Sequence, residues 1–249
     1  MTLSRWQTIY VSAGIAILPI APFLYLLGRY TRYRVGLLPE PEGPRTGIFG
    51  AGDRPKQLLV IGESTVAGLG ARTHELALAG QFAKYLSEQI GEPVEWSVVG
   101  KNGVTAQRTI EELVPQLPNK QFDYILVGLG GNDVMKLSSP KTWRRSMIEL
   151  LGILRERSPD AVTFITNCPM IKYSPAIPHP IKFLLWELSK LHDLNIKEFT
   201  ADMDRVFYYH QPANFRVEGF FADGIHPSEQ GYHDWSEAMV KFFRENYKW

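Results

Sequence analysis

The apolar positions of this chain fall into two regimes. Before residue 40 they form one nearly unbroken block; after residue 55 they come as short runs that alternate with helically spaced stretches. QLLVIG (57–62) is a brief apolar run closed by glycine, the pattern of a buried strand and a sharp turn. Residues 76–90 carry helical spacing, and VEWSVV (94–99) predicts the next strand. A second helical stretch over 104–114 precedes a third strand, YILVGLG (124–130). TWRRSMIELLGILRER (142–157) is strongly amphipathic, and AVTFIT (161–166) predicts a fourth strand. A helix over 181–198, a fifth strand in RVFYY (205–209) and a closing helix over 228–246, with Ser228 as N-cap before Glu229, complete the order. Strand and helix alternate throughout, which argues for an α/β domain: a parallel sheet of about five strands with helices on both faces.

The early block needs a different solvent. Between Arg5 and Arg29 no residue is charged, and the 23-residue run WQTIYVSAGIAILPIAPFLYLLG is about 35 Å long as a helix, enough to cross a hydrocarbon core of about 30 Å. Trp6, Tyr10, Tyr25 and Tyr30 suit the two interfaces, and membrane helices tolerate kinks such as those of Pro19 and Pro22. A cleaved signal peptide is the rival reading, but its basic region is thin and no small-x-small site follows the run. Three arginines follow the span and one precedes it, so the positive-inside rule favours a body on the cytoplasmic side of the membrane, with the opposite orientation as the alternative. The stretch LLPEPEGPRTG (37–47) has the composition of a stiff connector. The organisation expected is an anchor over 1–35, a Pro- and Gly-rich linker over 36–55 and a single domain over 56–249.

Charge sharpens this division. The whole chain of 249 residues carries a formal +1, yet residues 1–39 hold four arginines and no acid, leaving 23 basic against 26 acidic residues, a net of −3, in the rest. No basic surface for nucleic acid is announced. One cysteine, Cys168, excludes an intramolecular disulfide framework and a multi-cysteine zinc site, and its setting suggests a buried thiol. His74, His179, His192, His210 and His233 lack a metal-ligand spacing, and GLGG (128–131) is not a dinucleotide loop.

In parallel sheets, ligands bind beyond the carboxyl ends of the strands. There the sequence places GEST (62–65), GKNG (100–103), GGND (130–133), NCPM (167–170) and, in a turn before the last helix, DGIH (223–226). Ser64 follows the first strand directly; a serine at a tight strand-to-helix turn exposes its hydroxyl and gains backbone N–H groups from the next helix, although an ordinary N-cap serine looks the same. Asp223 and His226 lie three apart in a turn, where a carboxylate can hold an imidazole from behind. Asn132 can donate an amide N–H to a developing oxyanion, and Gly103 can bare its backbone N–H.

The conjunction of these residues, in this order, resembles the SGNH (GDSL-type) hydrolases. The first block, usually GDS, reads GES with Ser64 as the matching nucleophile; Gly103 matches the second block, Asn132 the third, and Asp223 with His226 the last. The likeness covers residues 56–245. It implies a flavodoxin-like three-layer α/β/α sandwich and a serine esterase or lipase. In that chemistry Ser64 attacks the ester, His226 is the general base, Asp223 orients it, and the oxyanion hole is made by Ser64, Gly103 and Asn132. No metal or organic cofactor is required. Glu63 stands where the family has Asp, a longer carboxylate that bears on the local turn. The membrane-associated bacterial lipase and esterase branch is the most similar, which implies the inner membrane.

Residues 167–186 follow the fourth strand at the active end and are apolar and Pro-broken. They suggest an acyl-binding wall, with Met170 and Tyr173 as substrate residues, or a loop that simply packs on the core. A lipid-like ester is the expected substrate, with the membrane as the second partner. An acyltransferase, a carbohydrate O-deacetylase and a non-catalytic binding module are the alternatives; the sequence does not address oligomeric state.

Overall fold

The computed structural model describes residues 2–248. Its α-helices are α1 (Leu3–Ile17), α2 (Ala21–Val35), α3 (Leu78–Ile90), α4 (Ala106–Glu112), α5 (Gly131–Met135), α6 (Pro140–Arg157), α7 (Ile181–Thr200) and α8 (Glu229–Asn246). The strands are β1 (Thr46–Phe49), β2 (Lys56–Gly62), β3 (Val94–Gly100), β4 (Tyr124–Gly128), β5 (Val162–Ile165) and β6 (Val206–Tyr208). They form one six-stranded sheet in the order β1-β3-β2-β4-β5-β6, parallel except for β1. The five strands expected from apolar runs are present, and a sixth is added at the edge. β1 lies inside the stretch expected as a linker. It pairs antiparallel with β3, Thr46 opposite Ser97 and Phe49 opposite Val94. The linker is also laid against the body upstream, where Glu42 N donates to Arg72 O at 2.8 Å.

The alternation of side chains along the strands builds the three layers. Leu59 and Ile61 of β2, with Ile125, Val127 and Ile165, pack against Trp143, Met147 and Leu150 of α6 and against Ile196 of α7. Leu58, Val60, Leu126 and Phe164 face the other way, onto Leu78, Phe82 and Leu86 of α3 and Tyr232, Met239 and Phe243 of α8. Both faces of the sheet are thus buried, as a parallel sheet requires. A smaller cluster of Val134, Ile171, Ile177, Leu185 and Leu188 sits apart from these two.

α1 and α2 are joined through one 3₁₀ turn, Leu18–Ile20, so Leu3–Val35 runs as a single kinked arm of 33 residues, about 50 Å. Pro19 and Pro22 bracket the kink, where a missing N–H and ring sterics disrupt the α-helical ladder. The arm is long and apolar enough to cross a membrane.

The carboxyl end of the sheet is shaped by a row of glycines. Gly62 pairs in register with Gly100 on one side and Gly128 on the other. A Cβ on Gly62 would sit 2.0 Å from the Gly128 oxygen, and one on Gly100 would sit 2.6 Å from Ala67 N. Only a row without side chains lets the chain after Ser64 cross the strand ends this closely. Gly62→Ala is therefore expected to destabilise the full chain by more than about 4 kcal/mol, or to prevent folding. Urea denaturation of the detergent-solubilised protein followed by circular dichroism measures this; a loss under about 1 kcal/mol would show that the loop can give way.

Candidate active site

Ser64 stands one residue past the Glu63 that caps the end of β2 and is 7% exposed. The turn after it does not lead straight into a helix, as the sequence suggested, because α3 begins only at Leu78. The intervening chain is a run of turns, with Ala67 N bonded to Glu63 O at 2.9 Å and Leu69 N to Ser64 O at 3.1 Å. Gly68 and Gly70 both have positive φ, which breaks any helix there. Local backbone N–H groups therefore come from turns rather than from a helix start. The N–H of Ser64 and that of Gly103 have no acceptor among the described residues.

Asp223 and His226 meet as their spacing predicted. Asp223 Oδ2 holds His226 Nδ1 at 2.8 Å, while Asp223 Oδ1 accepts the backbone N–H groups of Ile225 (2.8 Å) and His226 (2.7 Å). The pairing leaves Nε2 as the free ring nitrogen. Burial alone would raise the Asp223 carboxyl, but the hydrogen bonds from His226 and Ile225 override it and hold the group below its ordinary value. Asp223 thus stays ionised behind the ring. Ser64, Gly103, Asn132 and His226 line one cavity of about 1800 Å³. No hydrogen bond links Ser64 Oγ to His226 among the described residues. Such bonds are often long until substrate is bound.

Asn132 is tied to a partner that sequence reasoning did not assign. Glu63 Oε1 accepts Gly131 N at 2.7 Å, and Glu63 Oε2 accepts both Asn132 N and Asn132 Nδ2 at 2.7 Å. One carboxylate thereby fixes the start of α5 and the direction of the Asn132 amide, whose second N–H is left over. The carboxylate in GES was the available signal; its donors lie 68 and 69 residues away, beyond any local pattern. Two more residues escaped the sequence reading. Lys136 Nζ (2.6 Å) and Arg108 Nη1 (3.1 Å) both donate to the Gly103 carbonyl. They hold Gly103 in its left-handed conformation, φ 82°. The two substrate residues part company: Met170 lines the cavity, whereas Tyr173 is absent from its wall and stacks on Phe215, 5.0 Å between rings. Tyr173 therefore backs a wall residue. Cys168 is buried, which pushes its thiol well up and leaves it inert.

Comparison with known proteins identifies the family. The sequence profile of the GDSL-like Lipase/Acylhydrolase family matches residues 60–233, the greater part of the chain. The chain belongs to this family of carboxylic ester hydrolases. A GDSL-like esterase of Mycobacterium tuberculosis is 26% identical over 177 residues, which cover 64% of this chain and 54% of that protein; the chain spans about half the length of this relative. A lipase from a goat rumen metagenome superposes with a TM-score of 0.61 at 18% identity, over 76% of this chain and 96% of that one. The acetyl xylan esterase Est2A from the rumen bacterium Butyrivibrio proteoclasticus gives a TM-score of 0.55 at 14% identity, over 79% and 66%. These two likenesses establish a shared fold.

The carboxyl of Glu63 makes a test of the site's electrostatics. Burial pushes it up to about 7 from an ordinary 4.5, against the pull of the N–H donors of Asn132 and Gly131. The folded state thus keeps a proton that the unfolded chain releases between these values. The stability this group contributes is complete below pH 4.5 and is lost as pH rises through about 7. The expected loss is about 3 kcal/mol. Urea midpoints of the wild type, measured from pH 5 to 8, should fall relative to those of Glu63→Gln, which does not titrate. Parallel curves would mean that the carboxylate is ionised throughout.

Proposed function

We propose that the protein is a serine ester hydrolase that acts on lipid-like acyl esters at a membrane. The observation that carries this reading is the single cavity shared by Ser64, Gly103, Asn132 and His226, with Asp223 bound to the far nitrogen of the imidazole. In this reading His226 Nε2 takes the Ser64 proton as Oγ attacks the ester carbonyl carbon. The negative charge that develops on the carbonyl oxygen meets the N–H groups of Ser64 and Gly103 and the free N–H of the Asn132 amide. Collapse breaks the bond to the alcohol, which leaves with the proton from His226. Water, activated by the same imidazole, then releases the acid and restores Ser64. Glu63, Lys136 and Arg108 are positioning residues for the two oxyanion donors that lie outside the nucleophile's own turn.

Two features favour a lipid-like ester. The cavity is larger than the roughly 300–1,000 Å³ of ordinary small-molecule sites, and its wall includes Leu129, Met170, Ile171, Ile177 and Leu188. The arm Leu3–Val35 supplies a membrane anchor. The arm is held against the body near both ends, by Gln7 and Tyr10 and by Arg34, so in this reading it lies along the membrane surface, on the cytoplasmic side that Arg29, Arg32 and Arg34 favour. With β1 in its sheet, the catalytic domain begins ahead of residue 56, at Thr46. Hydrolysis of acetyl groups from carbohydrate is the second reading, favoured by the half-exposed rim around His226 and by the fold shared with the acetyl xylan esterase Est2A.

Assays of the full chain in detergent on p-nitrophenyl esters from acetyl to palmitoyl test this function. Ser64→Ala should lower kcat at least about 10³-fold, and long chains should be preferred. A rate independent of Ser64 would end the serine mechanism, and an acetyl-only profile would favour the deacetylase. Asn132→Ala should lower kcat by about 10²–10³ with little change in KM. Glu63→Gln should follow it in kind and fall short in size, by about 10-fold to 10²-fold, because an amide cannot accept at both positions that face N–H donors. An unchanged kcat in Glu63→Gln would separate Glu63 from the oxyanion donors.

A further inference from the structure

The arm is more than a tether. Its buried and half-buried positions run at three- and four-residue steps from Leu3 to Tyr10, and again from Ile17 to Val35. One stripe therefore faces the body across the kink. The arm is pinned near both ends. Gln7 Oε1 accepts Lys141 N at 3.2 Å, and Tyr10 OH donates to Leu137 O at 2.7 Å. Leu137 presents that carbonyl from a left-handed conformation, φ 57°, which leucine rarely adopts. At the far end, Arg34 Nη2 donates to Ala176 O at 3.0 Å, and Gly28 lies against Ile181.

Between these attachments the stripe lifts away. Ala13 and Gly14 fall on it by spacing, yet both are exposed, and a side chain on Gly14 would meet nothing within 4 Å. Both nevertheless line the same cavity as Ser64 and His226. On the body side that cavity is rimmed by Met135, Leu137 and Phe183, large apolar residues 43%, 56% and 55% exposed. Three facts therefore coincide: a gap in the middle of an arm apolar enough to enter a membrane, apolar residues on both sides of it, and continuity with the candidate nucleophile.

We infer that the arm is one wall of the substrate site, and that the gap at Ala13 and Gly14 admits the long acyl chain of an ester lipid sideways from the bilayer. The occupant is a bilayer lipid rather than a soluble ester, because the arm also turns Ile20, Phe23 and Leu26 outward, away from the cavity, an exposed apolar surface that water disfavours and a bilayer covers. The headgroup and the ester carbonyl reach Ser64 while the acyl chain lies between the arm and α7. This inference rests on the esterase reading and adds to it the route and the chain length.

The test compares palmitoyl with acetyl ester hydrolysis by the full chain in phosphatidylcholine vesicles. Gly14→Trp fills the gap and is expected to lower the palmitoyl-to-acetyl rate ratio at least 10-fold. Ala16→Trp adds the same bulk at an exposed position off the cavity wall, and should keep the wild-type ratio. An unchanged ratio in Gly14→Trp, or an equal fall in Ala16→Trp, overturns the inference. Binding of a non-hydrolysable hexadecyl ether lipid to Ser64→Ala protein gives the same contrast without turnover. Weakened binding on adding Gly14→Trp supports the portal, and unaltered binding overturns it. Absence of Ser64-dependent hydrolysis in the wild type would strike the esterase reading alone, since the ether measurement still decides whether the gap admits an acyl chain.

Discussion

Everything at the active end of this protein depends on how closely the chain after Ser64 can approach the sheet. Three neighbouring strands end in glycine at the same level, Gly100, Gly62 and Gly128, and the absent side chains are the space that the turn occupies. A methyl group at any of the three would meet backbone or the packed Val66. The position of Ser64, the reach of Glu63 towards α5 and the depth of the cavity all follow from that shelf. A parallel sheet buried on both faces supplies the stiffness that makes such a tolerance meaningful.

Glu63 shows how one buried charge can organise a site. It gathers three N–H groups onto two oxygens, so its ionised form is satisfied by fixed donors in place of water. Desolvation still weighs against that charge and brings it close to neutrality. The Glu63 carboxylate bridges from the turn after β2 to the first residues of α5. The oxyanion donors proposed here are thus held from outside: Asn132 by Glu63, and Gly103 by the cations of Lys136 and Arg108. The groups that would meet the reacting oxygen are left with little freedom of their own.

Much of this was legible in the sequence because it rests on local pattern. Strands such as 57–62 and 124–128 are continuous apolar runs, and the helix over 140–157 shows its stripe. Ser64, Gly103 and Asn132 stand just beyond strand ends, where a parallel sheet places a site, and Asp223 and His226 share one turn before the last helix. The features that were not legible depend on distant partners. β1 is four residues long, flanked by Pro and Gly, and only half-buried, so nothing in TGIF announces a strand until β3 lies beside it. The turn after Ser64 reads as a helix start because its glycines act through close approaches to Pro41 and Pro227, residues remote in sequence. The place of Tyr173 behind Phe215 is set by a ring 42 positions further on. The arm reads as a membrane span by composition, but its seat on the body depends on contacts with distant residues, such as that of Tyr10 with Leu137, that no hydropathy pattern contains.

That seat has a mechanical consequence. The contacts of Tyr10, Gln7 and Arg34 join the arm to residues 127, 134 and 142 positions further along the chain, so each closes a very long loop. Loop-closure cost grows only slowly with length, so such remote contacts are tolerated. Of the arm's side chains only Trp6 and Thr31 are buried, however, so little apolar packing backs them. The arm is therefore the part of the fold that opens at the lowest free energy, while the sheet, buried on both faces, opens only with the whole domain.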